Sequence, residues 1–236
     1  MLKISGGILA GVLKKLQQAI RPGITTAELD ALAEELVLKE KAHAAFKGYK
    51  GFPATLCTSI NEEIVHGIPG ERILEEGDII SIDLGVNYQG YFTDAAVTLP
   101  VGTIETQKKK LVEVAKKSLA EGIKQARVDN HLFDISYSIQ NYVENNGFSV
   151  VRQFVGHGIG RSLHEEPEIP NFGRPNGGPV LKSGMVFAIE PMVNMGTWES
   201  EILDNGWTAV TRDRLPSAHF EHTIAITEMG PKILTK

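Results

Sequence analysis

Asp83 and Asp94 fall in a segment, Asp78 to Leu99, that reads as a β-hairpin. The turn Asn87-Tyr88-Gln89-Gly90 has the Asn and Gly that a chain reversal favours. A four-residue turn centred between Tyr88 and Gln89 makes facing residues sum to 177, and the two aspartates meet that sum. They are then expected opposite each other on one face. The same register pairs Ile80 with Val97, Ile82 with Ala95, Leu84 with Thr93 and Val86 with Tyr91, a largely apolar face. Ser81, Gly85, Phe92 and Ala96 share the aspartate face. Two carboxylates roughly 5 Å apart on a half-buried surface repel each other. A shared proton or a divalent cation offsets that repulsion; a solvated edge pair without a role is the plainer alternative. Asp83 follows the run Ile79-Ile80-Ser81-Ile82, where a lone exposed carboxylate is out of place, so the cation is favoured.

Further donors lie downstream. Gly156-His157-Gly158-Ile159-Gly160 sets an imidazole among three glycines, which let backbone approach a ligand or adopt positive φ. His164 follows, before Glu165-Glu166-Pro167. Glu190 ends the apolar run Met185–Ile189, and Glu221 interrupts another, His219–Thr227. Taken singly, each of these is as readily a structural hydrogen-bonding group. Together, four carboxylates and one imidazole form a hard, oxygen-rich set that suits one or two ions such as Mn, Fe, Co or Zn. A structural zinc site would use Cys and His instead. Serine catalysis lacks a nucleophile elbow, Cys57 has no local catalytic signature, and Gly156–Gly160 matches no phosphate loop. His66 alone is uninformative.

The elements that must position these groups are helices followed by strands, twice over. Helices are expected over Ile4–Ile20, Thr26–Glu40, Ile104–Ala126 and Leu132–Asn146, with Thr25 and Glu28 forming a capping box before the second. Strands are expected at Met185–Ile189 and His219–Thr227. The order implies an α+β chain of two related halves, with a mixed or antiparallel sheet, in one domain spanning 1–236. The chain is long enough for a real core, and its 42% hydrophobic and 22% charged residues are ordinary for a globular protein. A formal charge of 24 − 29 = −5 gives no global pull toward nucleic acid or an anionic membrane, and neither is expected as a partner. One cysteine permits no internal disulfide, which fits a cytoplasmic location. Lys14 and Lys15 interrupt the first apolar stretch, so it is not read as a signal peptide, and no run approaches the ~20 apolar residues of a spanning helix.

The strings CTSINEEIVHGIP, SIDLGVNYQGYFTDAAVTL, FVGHGIGRSLHEEP, GMVFAIEPM and HFEHTIAIT, in this order from about Ile4 to Thr227, resemble those of type I methionine aminopeptidases. The resemblance implies the pita-bread fold, two pseudo-symmetric αβ halves around a curved, mainly antiparallel sheet. It implies two divalent ions (Co, Mn, Fe or Zn), with Asp83 on one, His157 and Glu190 on the other, and Asp94 and Glu221 bridging them. His66 and His164 would line the reaction centre. Tyr49, Phe52, Cys57, Leu163 and Trp207, with Phe46 at the margin, would form the methionine pocket. Water is then the nucleophile. Glu190 is the expected proton acceptor, His164 the donor to the oxyanion, and His66 a contact for the scissile nitrogen or the next residue. The implied partners are N-terminal methionine peptides of nascent chains, met transiently at the ribosome surface by a monomeric enzyme.

Phe92-Thr93 stands where many relatives have His-Gly, and Leu163 where Phe is common. Relatives usually begin with an acidic turn before the equivalent of Lys3, so a short or trimmed N-terminus is expected. A proline-specific pita-bread peptidase is the nearest rival, but such relatives carry a large extra N-terminal domain. A non-catalytic pita-bread binding protein would have lost ligand residues, and all five are present. Type II relatives carry a helical insert for which the 31 positions from Glu190 to Glu221 leave no room.

Overall fold

The computed structural model describes residues 1–236. Four helices are present: α1 (Leu2–Ala19), α2 (Thr26–Lys39), α3 (Thr106–Gln125) and α4 (Leu132–Asn145). α1 begins two residues earlier than expected and α3 two residues later. The α2 capping box is formed: the Glu28 N–H donates to Thr25 Oγ1 at 3.1 Å, and the Thr25 N–H donates to Glu28 Oε2 at 2.8 Å. No helix is long and apolar enough to cross a membrane.

Every strand pair is antiparallel. In the first half, the hairpin strands Ile79–Tyr88 and Tyr91–Pro100 are joined by Cys57–Ile60 and His43–Ala44, both paired to Ile79–Tyr88. In the second half, a five-stranded sheet runs in the order Gly230–Ile233, His222–Thr227, Val186–Ile189, Gly156–Gly158, Glu165–Ile169. Two three-stranded sheets complete the chain. Each helix pair covers its own core: 19 buried residues around α1, α2 and the hairpin, and 23 around α3, α4 and the later strands. Cores of similar size, one per helix pair, are the physical content of the two related halves.

The halves meet along the hairpin strand Tyr91–Pro100. The Asp94 N–H donates to Thr223 Oγ1 at 2.8 Å, and that hydroxyl donates to the Asp94 carbonyl at 2.8 Å. The Glu221 N–H donates to the Ala96 carbonyl at 2.9 Å. Thr98 Oγ1 donates to the His219 carbonyl and accepts from its N–H, both at 2.8 Å. Side-chain hydroxyls thus stitch one half to the other where regular strand pairing stops.

The hairpin register differs from the expected one. Facing residues sum to 179: Asp83 lies opposite Ala96, and Asp94 opposite Gly85. Ile80 meets Leu99, Ile82 meets Val97, Leu84 meets Ala95 and Val86 meets Thr93. The reversal is a two-residue turn in which Gln89 (φ 52°) and Gly90 (φ 78°) are both left-handed, the geometry that matches strand twist. The aspartates are therefore diagonal neighbours, not direct partners. Because the shift is by two, they keep a common face. The expected strand His219–Thr227 also divides, into Ser217–His219 and His222–Thr227, with Phe220 and Glu221 between them.

Candidate metal centre

One cavity is lined by Tyr49, Phe52, Cys57, His66, Asp83, Asp94, His157, Leu163, His164, Glu190, Trp207 and Glu221, together with Phe46 and Lys50. All twelve site residues expected from the sequence are brought together. The hairpin supplies Asp83 and Asp94. Glu190 follows the strand Val186–Ile189, next to Pro191, and Glu221 occupies the break between the two late strands. That break, fixed by the bond from the Glu221 N–H to Ala96, sets the carboxylate beside the hairpin.

His157 lies on the short central strand Gly156–Gly158. Its glycines have a different reason from the one expected. None of Gly156, Gly158 and Gly160 has positive φ. A Cβ on Gly156 would lie 2.4 Å from the Ala188 carbonyl oxygen, and one on Gly158 would lie 2.2 Å from that of Glu166. They admit neighbouring backbone rather than a ligand. His157 Nδ1 is 2.9 Å from the Gly158 carbonyl and so carries the proton there, leaving the Nε2 lone pair free, 3.5 Å from Glu190 Oε1.

Asp94, His157 and Glu221 each offer a ligand atom within 4.8 Å of the other two, and all three are buried. Asp83 Oδ1, Asp94 Oδ1 and Glu221 Oε1 are buried without any hydrogen-bond partner. Burial, then the Asp94 and Glu190 charges, pushes the Asp83 carboxyl well above the usual carboxylate range. Burial likewise raises Asp94 to about 7. Glu190 and Glu221 are raised well above their usual range by burial and then by neighbouring carboxylates. Buried anionic oxygens crowded together without donors are the environment a cation resolves.

Beside this polar floor lies an apolar wall. Phe52 meets Trp207 edge-on at 5.2 Å, and His66 stands edge-on to Trp207 at 6.4 Å and to Phe154 at 5.6 Å. Tyr49 stacks on His164 at 5.2 Å. His66 is left-handed at φ 60°, a conformation a side chain holds only when its surroundings enforce it. Burial lowers the pKa of His66 and His157; burial, then His157, Lys50 and His66, brings His164 to about 4. The three rings are neutral near pH 7. Burial and then the nearby carboxylates push the Cys57 thiol well up, so it is a protonated wall and no nucleophile.

A model of metallopeptidase family M24 matches residues 1–228. The chain belongs to family M24. It is 55% identical over 235 residues to a methionine aminopeptidase of Clostridium perfringens, covering 100% of this chain and 94% of the relative. It is 53% identical to methionine aminopeptidase 1 of Bacillus subtilis, covering 100% and 95%. The crystal structure of methionine aminopeptidase from Thermotoga maritima superposes with a TM-score of 0.98 at 47% identity, covering 99% of this chain and 94% of that one. The fold of this M24 chain is the pita-bread fold, and M24 membership implies use of divalent metal. The orphaned oxygens of Asp83, Asp94 and Glu221 and the free Nε2 of His157 fit such an ion.

Sequence reasoning passed over two residues of this M24 site. Lys50 lines the cavity from a tight loop, itself left-handed at φ 48°. His219 lies 3.8 Å from Glu190 through its Nε2. Two-residue periodicity back from Glu221 was the available signal for His219, since alternate residues of an extended chain share a face.

Proposed function

We propose that this chain is a methionine aminopeptidase, one catalytic unit over 1–236, that removes the initiator methionine from new polypeptides with a small second residue. The observation that carries the reading is the junction, in one cavity, of a carboxylate–histidine floor with a wall of Tyr49, Phe52, Cys57, Leu163 and Trp207. An apolar, polarisable pocket suits a thioether. The full-length similarity to methionine aminopeptidases supports it over a proline-specific or a non-catalytic relative.

Asp83, Asp94, His157, Glu190 and Glu221 would hold two divalent ions, with Asp94 and Glu221 shared. Bound there, the ions supply Lewis-acid polarisation of the scissile carbonyl and make a water nucleophilic near neutral pH. Glu190 takes the proton from the attacking water and returns it to the leaving amine. His164 donates to the carbonyl oxygen as charge develops on it. His66 contacts the scissile nitrogen or the next residue. The substrate's free α-amine lies at the Asp83 end of the cavity, which restricts cleavage to the first residue. The enzyme works as a cytoplasmic monomer on nascent chains near the ribosome.

The test is reconstitution of metal-free protein with Mn, Fe, Co or Zn, followed by hydrolysis of Met-Ala-Ser and Ala-Pro. Release of methionine, with Ala-Pro untouched, is expected. Cleavage of Ala-Pro alone would make the chain a prolidase, and no cleavage with tightly bound ions would favour a binding protein.

A further inference from the structure

His219 is 1% exposed, yet neither ring nitrogen has a hydrogen-bond partner. Few buried polar groups in native proteins are left so. Its backbone is clamped on both sides by Thr98 Oγ1, which is itself 2.8 Å from Ser81 Oγ. The imidazole is thus held in place from the hairpin, and its Nε2 faces Glu190 Oε2 at 3.8 Å. Glu190 Oε1 faces His157 Nε2 at 3.5 Å. One carboxylate is flanked by two imidazoles, one to each oxygen. The His157 ring has its Nδ1 proton engaged by Gly158, so its Nε2 offers Glu190 no proton. Neither nitrogen of the His219 ring has another acceptor, so its N–H is available to Glu190.

We propose that His219 is a positioning residue for Glu190: its Nε2–H donates to Oε2 and keeps Oε1 turned toward His157. The 3.8 Å separation is longer than a formed hydrogen bond, and the bond forms when the two side chains approach by about 1 Å. Outer partners of this kind fix the orientation of a metal-binding carboxylate and raise affinity for the ion. The inference rests on the aminopeptidase reading for its effect on turnover, but not for its effect on metal binding.

The test compares His219→Gln, which keeps an N–H donor, with His219→Met, which fills similar space without one. Manganese affinity of the metal-free chain is measured by calorimetry, and kcat and KM on Met-Ala-Ser by product release. His219→Met is expected to bind manganese about 10-fold or more weakly and to lose a similar factor in kcat with KM nearly unchanged. His219→Gln is expected to recover both. Wild-type affinity and kcat in His219→Met, or equal damage in His219→Gln, overturns the proposal. Should the Met variant fail to fold, His219→Asn carries the test, because its donor is too short to reach Glu190; full affinity there overturns it equally. If wild-type protein binds manganese but cleaves no methionine peptide, the peptidase reading falls, and the affinity series still decides the role of His219.

Discussion

Asp94 is the carboxylate on which the centre turns. It is buried, its Oδ1 has no partner, and its backbone is tied on both sides to Thr223 across the seam. Removing its side chain leaves Asp83 and Glu221 without their shared neighbour but leaves the Thr223 clamp intact. Asp94→Ala is therefore expected to fold, to bind no manganese in a calorimetric titration, and to release no methionine from Met-Ala-Ser. His164 presents a different case. It stacks on Tyr49 and leans on His157 at 4.1 Å, and its neutral ring has one N–H to offer as a hydrogen-bond donor. His164→Ala is expected to keep its metal and lose on the order of 10²-fold in kcat. Unchanged kcat would remove it from the reaction. Asp94 was legible from the hairpin, where an unpaired acid violates local expectation and such violations mark sites. His164 was legible only through the resemblance, because its neighbours Leu163 and Glu165 set it apart from nothing. His219 was passed over, because its one signal, the two-residue spacing from Glu221, is weak and a histidine next to Phe220 is as readily read as core.

At the scale of elements, the hairpin shows what pattern can and cannot specify. Alternation of apolar and polar residues fixes which face each residue takes, and the aspartates were placed on the right one. It does not fix the pairing, because a slide by two residues leaves every face unchanged. The turn decides the slide, and Gln89 gave little sign that it would adopt φ 52°, where Asn or Gly is usual. The helices were legible to within about two residues, the second because the capping pair Thr25 and Glu28 acts locally. The glycines around His157 were visible as a motif but not as a cause, since the carbonyls they admit come from Glu166 and Ala188 on other strands. That cause is testable. Gly158→Ala sets a methyl against the Glu166 carbonyl oxygen at 2.2 Å, a backbone atom with little room to move. The variant is expected to lose about 2 kcal/mol in denaturant unfolding. It should also bind manganese less well, because the strand that must shift carries His157. Wild-type values in both would show that the neighbouring strand yields freely.

Across the whole molecule, the two cores hold the halves separately, and the acidic cluster lies on the seam that hydroxyls stitch between them. The cluster therefore tests the fold as a unit. Without an ion, Asp83, Asp94, Glu190 and Glu221 all have folded pKa values above their unfolded ones, chiefly through burial. Above the unfolded carboxylate range the folded, metal-free chain holds more protons at these groups than the unfolded chain does. Stability from such groups is complete below their unfolded pKa and is lost as pH rises through the folded values. The buried histidines have lowered pKa values, so the protons their unfolded forms still hold near pH 7 give an opposing slope that fades by about pH 8. Metal-free protein is thus expected to melt at progressively lower temperature from pH 7 to pH 9. Divalent ion reverses the preference, because it binds the deprotonated oxygens and displaces their protons. With saturating manganese, the melting temperature should rise and its fall with pH should flatten. Calorimetry at pH 7 in two buffers of different ionisation enthalpy should register protons released on binding. A metal-free melting temperature that is level across the window, with no proton release, would mean that the oxygens already lie apart as solvated carboxylates, and that no cation is needed to hold the seam closed.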